Sequence, residues 1–367
     1  MQTLTIKREQ GGLAKQLPGS DHISGLLFVV QSEDGIPEAF ATKRYQPCSS
    51  LKAMEALGLS PTQGDGYHIA EALRLCPGIS LWVGYAVEDP TMKCVGELQR
   101  AASGNIRQMG VLMVDTEISR ALVTALQAQA DALDNDWMPL SIIVAPVVLD
   151  HTMLPADLAS SAPNVSVLVG KDWAAYEPAI GTLIGILAAR AVHESIAWVE
   201  RCETGLSIAS FADGTPYAEV DAARIEQIDN ARYIYLRTYP GIAGVFFSDS
   251  HTMDAPTGDY CQIELQRTMD KAVRLVRTNL LPELGRPIRF NADGTLRADT
   301  LQHLRTVASR ATDQMERDGE VSGWQVLIDP AQDVLGTNRV EFTIKAVPVG
   351  TMRKAVVSIG FTQKIED

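Results

Sequence analysis

Over the first two-thirds of the chain, short apolar runs alternate with amphipathic stretches. Residues 23–30, 79–87, 109–114, 140–146 and 165–170 form the apolar runs, and helical spacing falls between them at 49–58, 66–75, 92–103 and 116–134. Such runs between helices read as strands covered on both faces, which predicts an α/β domain with parallel or mixed strands. Serines at 49–50 cap the first of these helices, Gly58 stops it, and Pro77-Gly78 ends the second. Residues 178–201 read as one long, unusually apolar helix.

A looser stretch over 204–230, with a turn at 212–216, places a domain boundary near residue 230. The expected organisation is an N-terminal arm over 1–20, an α/β domain over 21–230 and a second domain over 231–367. In that second domain, residues 231–238 alternate polar and apolar, and a further strand follows at 244–247. A helix over 260–281 carries the apolar stripe Leu265, Met269, Ala272, Val276 and Leu280, and another over 297–317 carries Leu301, Leu304, Ala308, Ala311 and Met315. After a strand at 323–329, Val340, Phe342, Ile344 and Ala346 share one face, and beyond a turn at 348–351 Ala355, Val357, Ile359 and Phe361 share another. This pattern predicts a long, half-buried antiparallel hairpin running nearly to residue 367. Residues 3–7, with Leu4 and Ile6, alternate in the same way and precede flexible positions at Gly11-Gly12 and Pro18-Gly19. Strands at both termini present backbone donors and acceptors to which another strand can add.

Composition narrows the function. Hydrophobic residues make up 46% and charged residues 21%, an ordinary globular balance. The net charge of −13 argues against a general nucleic-acid binder, which needs a basic face. Five widely spaced cysteines without a CxxC pair read as reduced thiols in a protein folded in the cytosol. The N-terminus lacks the layout of a secretion signal. The most apolar segment, 180–192, is too short for a bilayer that takes ~20 helical residues. Its Gly181-xxx-Gly185 spacing therefore reads as close packing in a soluble core, and no membrane role is expected.

Candidate chemistry is sparse. No histidine has another three to five residues away, so zinc-type pairs are missing, and His193-Glu194 lacks the second histidine of HExxH. Gly170-Lys171-Asp172 follows an apolar strand, but Val165 stands where a phosphate loop needs glycine and Asp172 where it needs a hydroxyl. Neither GxGxxG nor GxSxG occurs, and no cofactor or metal is expected. Residues 248–254 contain Ser, His and Asp. Triad members converge from separate loops, which argues against a triad on this one segment; an α/β hydrolase using His251 and nearby acids is the competing reading. One charge feature stands out: Arg267, Lys271 and Arg274 at i, i+4 and i+7 make a basic stripe suited to an acidic protein surface, or a solvated face offset by Glu264 and Asp270.

The run 231–241, the run 245–253 and the helix opening at Asp259-Tyr260 together resemble contractile tail sheath proteins. In that family a strand, a glycine turn and a second strand with an Arg/His-Thr element, here His251-Thr252, lead to a helix with a basic stripe. The Trp324 strand and the Val340-Glu341-Phe342-Thr343-Ile344 hairpin strand follow in the family's order, and residues 183–190 are similar to its Ala/Gly-rich helix. The likeness covers 231–367 and thins before 178; His251 for the usual arginine and a missing asparagine-rich segment mark a divergent branch. The resemblance implies an α/β fold: a mixed-sheet α/β sandwich core, a C-terminal α+β sheath-type domain and strand-like terminal arms. It further implies a structural, non-enzymatic subunit that forms hexameric rings stacked into a helical sleeve around an inner tail tube protein, without nucleic acid or membrane. Such a protein assembles in the host bacterial cytoplasm and resides in the virion tail or an injection particle. Neighbours would be tied by exchanged strands, with Leu4 and Ile6 in one arm and Val357, Ile359 and Phe361 in the other (353–367). Arg267, Lys271 and Arg274 would face the tube. A single-ring terminator or adaptor is the alternative within the same fold.

Overall fold

The computed structural model describes residues 19–114, 117–147, 149–159, 161–357 and 360–361. Its centre is a six-stranded sheet built from β1 (Ile23–Val30), β2 (Tyr45–Pro47), β3 (Ser80–Val87), β4 (Gln108–Met113), β5 (Ser141–Pro146) and β6 (Val165–Val167), in the order β2-β3-β1-β4-β5-β6. Neighbours run parallel except β2, which is antiparallel to β3. Every residue of β4 and β5 is buried, as continuous apolar runs in a doubly covered sheet require.

Four helices provide the cover: α1 (Gly64–Leu75), α2 (Lys93–Ala101), α3 (Arg120–Asn135) and α4 (Ile180–Ala189). The period-2 geometry of β1 sends Leu26 and Phe28 to the layer containing Ile69 and Ala72 of α1 and Leu183 and Ile184 of α4. Leu27 and Val29 go to the opposite layer, with Val95 and Leu98 of α2 and Val123 and Leu126 of α3. Gly181 and Gly185 let α1 and α4 touch. A β-carbon on Gly181 would lie 2.1 Å from the His68 carbonyl oxygen, and one on Gly185 2.9 Å from Leu75 Cβ.

The apolar helix is shorter than the sequence pattern predicts. It ends at Ala189, Arg190 is extended, and 191–201 is a chain of turns. Side chains there bond locally: Ser195 Oγ accepts from the Ala197 amide, and Glu194 pairs with Arg201. Such bonds offer the backbone an alternative to helix, while Val192 and Ile196 are buried by tertiary packing.

The hairpin of β7 (Leu236–Tyr239) and β8 (Ile242–Phe247) packs on this same core. Tyr233 and Tyr235 join one layer, Ile234 and Phe247 the other, and Ile234 bridges Leu168. Residues 231–254 are therefore continuous with the α/β core, and the change of packing falls after them instead of near 230. Beyond it, α5 (Ile263–Leu280) and α6 (Ala298–Arg317) lie together beside β9 (Val321–Leu327) and β10 (Thr343–Pro348), around two small clusters that include Leu301, Leu304 and Ile328, and Ala272 and Met315.

The predicted terminal hairpin is not the one that forms. β10 pairs antiparallel with β9, Trp324 opposite Ala346 and Val326 opposite Ile344, and residues 349–357 form no strand. The alternating pattern of 355–361 is real, but among the described residues Val356, Val357 and Phe361 find no layer and are all exposed. Periodicity marks strand-forming potential, and the partner is chosen by which apolar faces meet.

Candidate assembly surface

The β9/β10 pair is a two-stranded sheet, so among the described residues the outer edge of each strand carries unpaired backbone groups. Isolated two-stranded sheets are marginal, and edges of this kind accept further strands. Trp324, Ile344 and Ala346 on its inner face line an apolar groove of about 550 Å³ together with Met269 and Val276 of α5. Trp137 from the α/β core closes one side. It holds a left-handed backbone (φ 64°), is 56% exposed, and its ring lies 5.0 Å from the Arg277 guanidinium. Sequence periodicity had no means of finding Trp137, whose role depends on a contact across the chain.

The C-terminal segment leaves this sheet, and Arg353 fastens it to the α/β core and α5. Arg353 Nε donates to Asp249 at 3.0 and 3.2 Å, and its Nη2 donates to Ser250 Oγ at 3.0 Å and to the Glu264 carboxylate. Past that point Val357 is 75% exposed and Phe361 fully exposed. The other residues expected in the terminal arms, Leu4, Ile6 and Ile359, lie outside the described residues.

The basic stripe is a correction. Arg267 is 2% exposed, and its Nη2 donates to the Leu187 carbonyl at 2.9 Å. Lys271 Nζ sits 2.7 Å from Asp21 and 2.6 Å from Glu320, and Arg274 lies 3.2 Å from Asp21. These three side chains form a polar junction between α5 and the α/β core rather than a surface that faces outward. Burial pushes the Arg267 guanidinium down to about 10 and the neighbouring Asp270 carboxyl up to about 7. Burial also raises Asp21, but Lys271 and Arg274 outweigh it and hold that carboxyl below its usual range. The i, i+4, i+7 spacing was correct, but the carboxylates that face it, Asp21 and Glu320, come from both ends of the sequence.

Candidate chemistry stays apart in space. Ser250 Oγ donates to Glu264 at 2.6 Å, while His251 Nε2 lies 3.8 Å from Asp249 and 3.9 Å from Asp229, so His251 is turned to carboxylates and the serine to another acid. Asp150, His151 and Asp213 bring three ligand atoms within 4.8 Å of one another. His151 Nδ1 is paired with Asp213 at 2.5 Å, and Asp150 accepts from Thr152, so local hydrogen bonds account for the cluster. Among the described residues, no helix is long and apolar enough to cross a membrane.

This architecture defines the class. The chain has the fold of contractile sheath subunits: it matches a chain in the baseplate of the anti-feeding prophage (TM-score 0.66, 13% identity, 99% of both chains) and that system's helical sheath in the contracted state (0.65, 14%, 98% of both). It also matches the contracted sheath complex of the PVC extracellular contractile injection system (0.65, 13%, 100% of this chain and 98% of that one). The chain belongs to the DUF2586 family, whose N-terminal domain matches residues 5–251 and whose C-terminal domain matches residues 259–366. It is also 28% identical over 155 residues to a protein of Haemophilus phage HP1 (strain HP1c1) that carries a provisional tail sheath name. That stretch covers 41% of this chain and 36% of the phage protein, little more than a third of its length.

Proposed function

We propose that this protein is a structural subunit of a contractile tail sheath or related injection particle, polymerising by exchange of terminal strands around an inner tube. The observation that carries the reading is the β9/β10 sheet, open at both edges among the described residues, in a subunit whose terminal sequence alternates like a strand yet forms none over residues 349–357. An added strand would form main-chain hydrogen bonds along an edge, and alternate side chains would set its register. Burying Val357 and Phe361 in a neighbour would contribute roughly 1.5–3 kcal/mol each before ordering costs. Contacts that repeat head to tail build helical arrays. In this reading the partners are further copies, arranged as stacked hexameric rings, and the tube protein. The subunit performs no chemistry, binds neither nucleic acid nor membrane, and assembles in the host cytoplasm.

The test is a truncation after Lys354, imaged by negative-stain microscopy beside the full chain. The full chain is expected to give sleeves and the truncated chain soluble subunits with an unchanged thermal midpoint. Normal sleeves from the truncation would overturn strand exchange. A second reading, a single-ring baseplate or terminator component, is favoured by the likeness to a baseplate chain; micrographs showing rings without stacking would select it.

A further inference from the structure

Residues 349–357 run without secondary structure over the surface, and Met352, Val356 and Val357 are 84%, 96% and 75% exposed. One side chain in this stretch behaves differently. Arg353 reaches back to a pocket built at the junction of the two parts of the chain, between the loop after β8 and the first turn of α5. The pocket is largely buried: Ser250 is fully buried, Glu264 is 3% exposed, and Ser250 Oγ donates to the second Glu264 oxygen at 2.6 Å. Three groups, Asp249, Ser250 and Glu264, therefore converge on one guanidinium, whose planar fork suits several acceptors at once. Withdrawing Arg353 would leave the Glu264 carboxylate buried without its cation, a strongly unfavourable state. A release latch would need a cheap open state, and this contact lacks one. The arrangement is that of a fixed post.

We infer that Arg353, held by Asp249, Ser250 and Glu264, is the anchor that divides the C-terminal segment into a part tied to its own subunit and a part that reaches a neighbour. This rests on the strand-exchange reading above and adds to it where the exchanged segment starts. Phe361 lies eight positions beyond Arg353. At ~3.3–3.6 Å per extended residue, the position that receives Phe361 lies within about 29 Å of the clamp. Chain between β10 and Arg353 contributes nothing to that reach, because the clamp resets it.

Two experiments test the anchor. In the isolated subunit, a nitroxide on Met352→Cys in a Cys261→Ser background reports the clamp directly. The expected spectrum is broadened with Arg353 in place and sharpened in Arg353→Met/Glu264→Gln, a double variant that removes the guanidinium together with the buried carboxylate it neutralises; identical spectra would overturn the anchor. In assembly, a Gly-Gly-Ser-Gly insertion between Val349 and Gly350 is expected to leave sleeve dimensions unchanged. The same insertion between Ala355 and Val356, inside the reaching part, is expected to alter or abolish sleeves. In the double variant the two insertions should behave alike. Equal effects of the two insertions with the clamp intact would overturn the inference. A clamp that shows its expected spectra in a full-length chain that never forms sleeves would instead overturn strand exchange and leave the anchor standing.

Discussion

Replacing Asp270 with asparagine should stabilise the protein at pH 8 and hardly affect it at pH 5. Asp270 is 6% exposed on α5; Oδ1 accepts from Gln266 at 2.9 Å, and Oδ2 has no hydrogen-bond partner among the described residues. Burial raises its carboxyl from 3.8 to about 7; Asp134 adds to the rise, while Arg274, the Gln266 hydrogen bond and Arg107 work against it. A carboxyl whose folded value exceeds its unfolded value holds a proton in the fold that the unfolded chain has lost. Stability from this group is therefore greatest below about pH 4, falls as pH rises to about 7, and stays low above. At ~1.36 kcal/mol for each tenfold, the full penalty is on the order of 4 kcal/mol. Asparagine removes the charge and keeps the acceptor but adds buried N–H groups, so the recovered part should be about 1–3 kcal/mol. Urea unfolding of both proteins at pH 5, 6, 7 and 8 reads the difference, and groups common to the two cancel. A gap between the midpoints that stays constant over that range would refute the argument.

Gly181→Ala should lower the thermal midpoint by forcing α1 and α4 apart, at a cost of about 1–3 kcal/mol or more, because the new methyl would meet the His68 backbone; an unchanged melt would show that the helices slide freely. Burial pushes the thiols of Cys48 and Cys76 up to about 11 and that of Cys94 up to about 12, and raises Cys202 as well. With Ellman's reagent at pH 8, only the partly exposed Cys261 should react quickly in the native protein and all five cysteines after denaturation; two or more fast native thiols would contradict the packing.

Much of the architecture was legible because it rests on local chemistry. The runs at 23–30, 109–114 and 140–146 are apolar at nearly every position and only six to eight residues long, the form a strand covered on both faces takes in an α/β chain. The glycine spacing at 181 and 185 likewise announced a close contact, and the structure supplied its partner, α1. The helix at 298–317 kept its predicted face, with Leu301, Leu304, Ala308, Ala311 and Met315 all buried, whereas the helix at 263–280 buries Arg267 and Asp270 and leaves Met269 and Val276 of its apolar stripe half-exposed in the groove.

Pairing across the chain was not legible. The alternation at 339–346 and 355–361 announced two strands but not their partners, and β10 chose β9, which shares a helix layer with it, over the segment that follows it. The spacing of Arg267, Lys271 and Arg274 looked like a solvent-facing stripe until Asp21 and Glu320 arrived from opposite ends of the sequence to bury it. Arg353 gave no local sign at all, because its acceptors lie 89 to 104 residues away. Periodicity is a property of consecutive residues, so the chain alone marks where most elements form and which face many of them hide. Which faces meet, which charges are neutralised and which strand edge is left open depend on contacts between distant residues, and only the folded protein makes those.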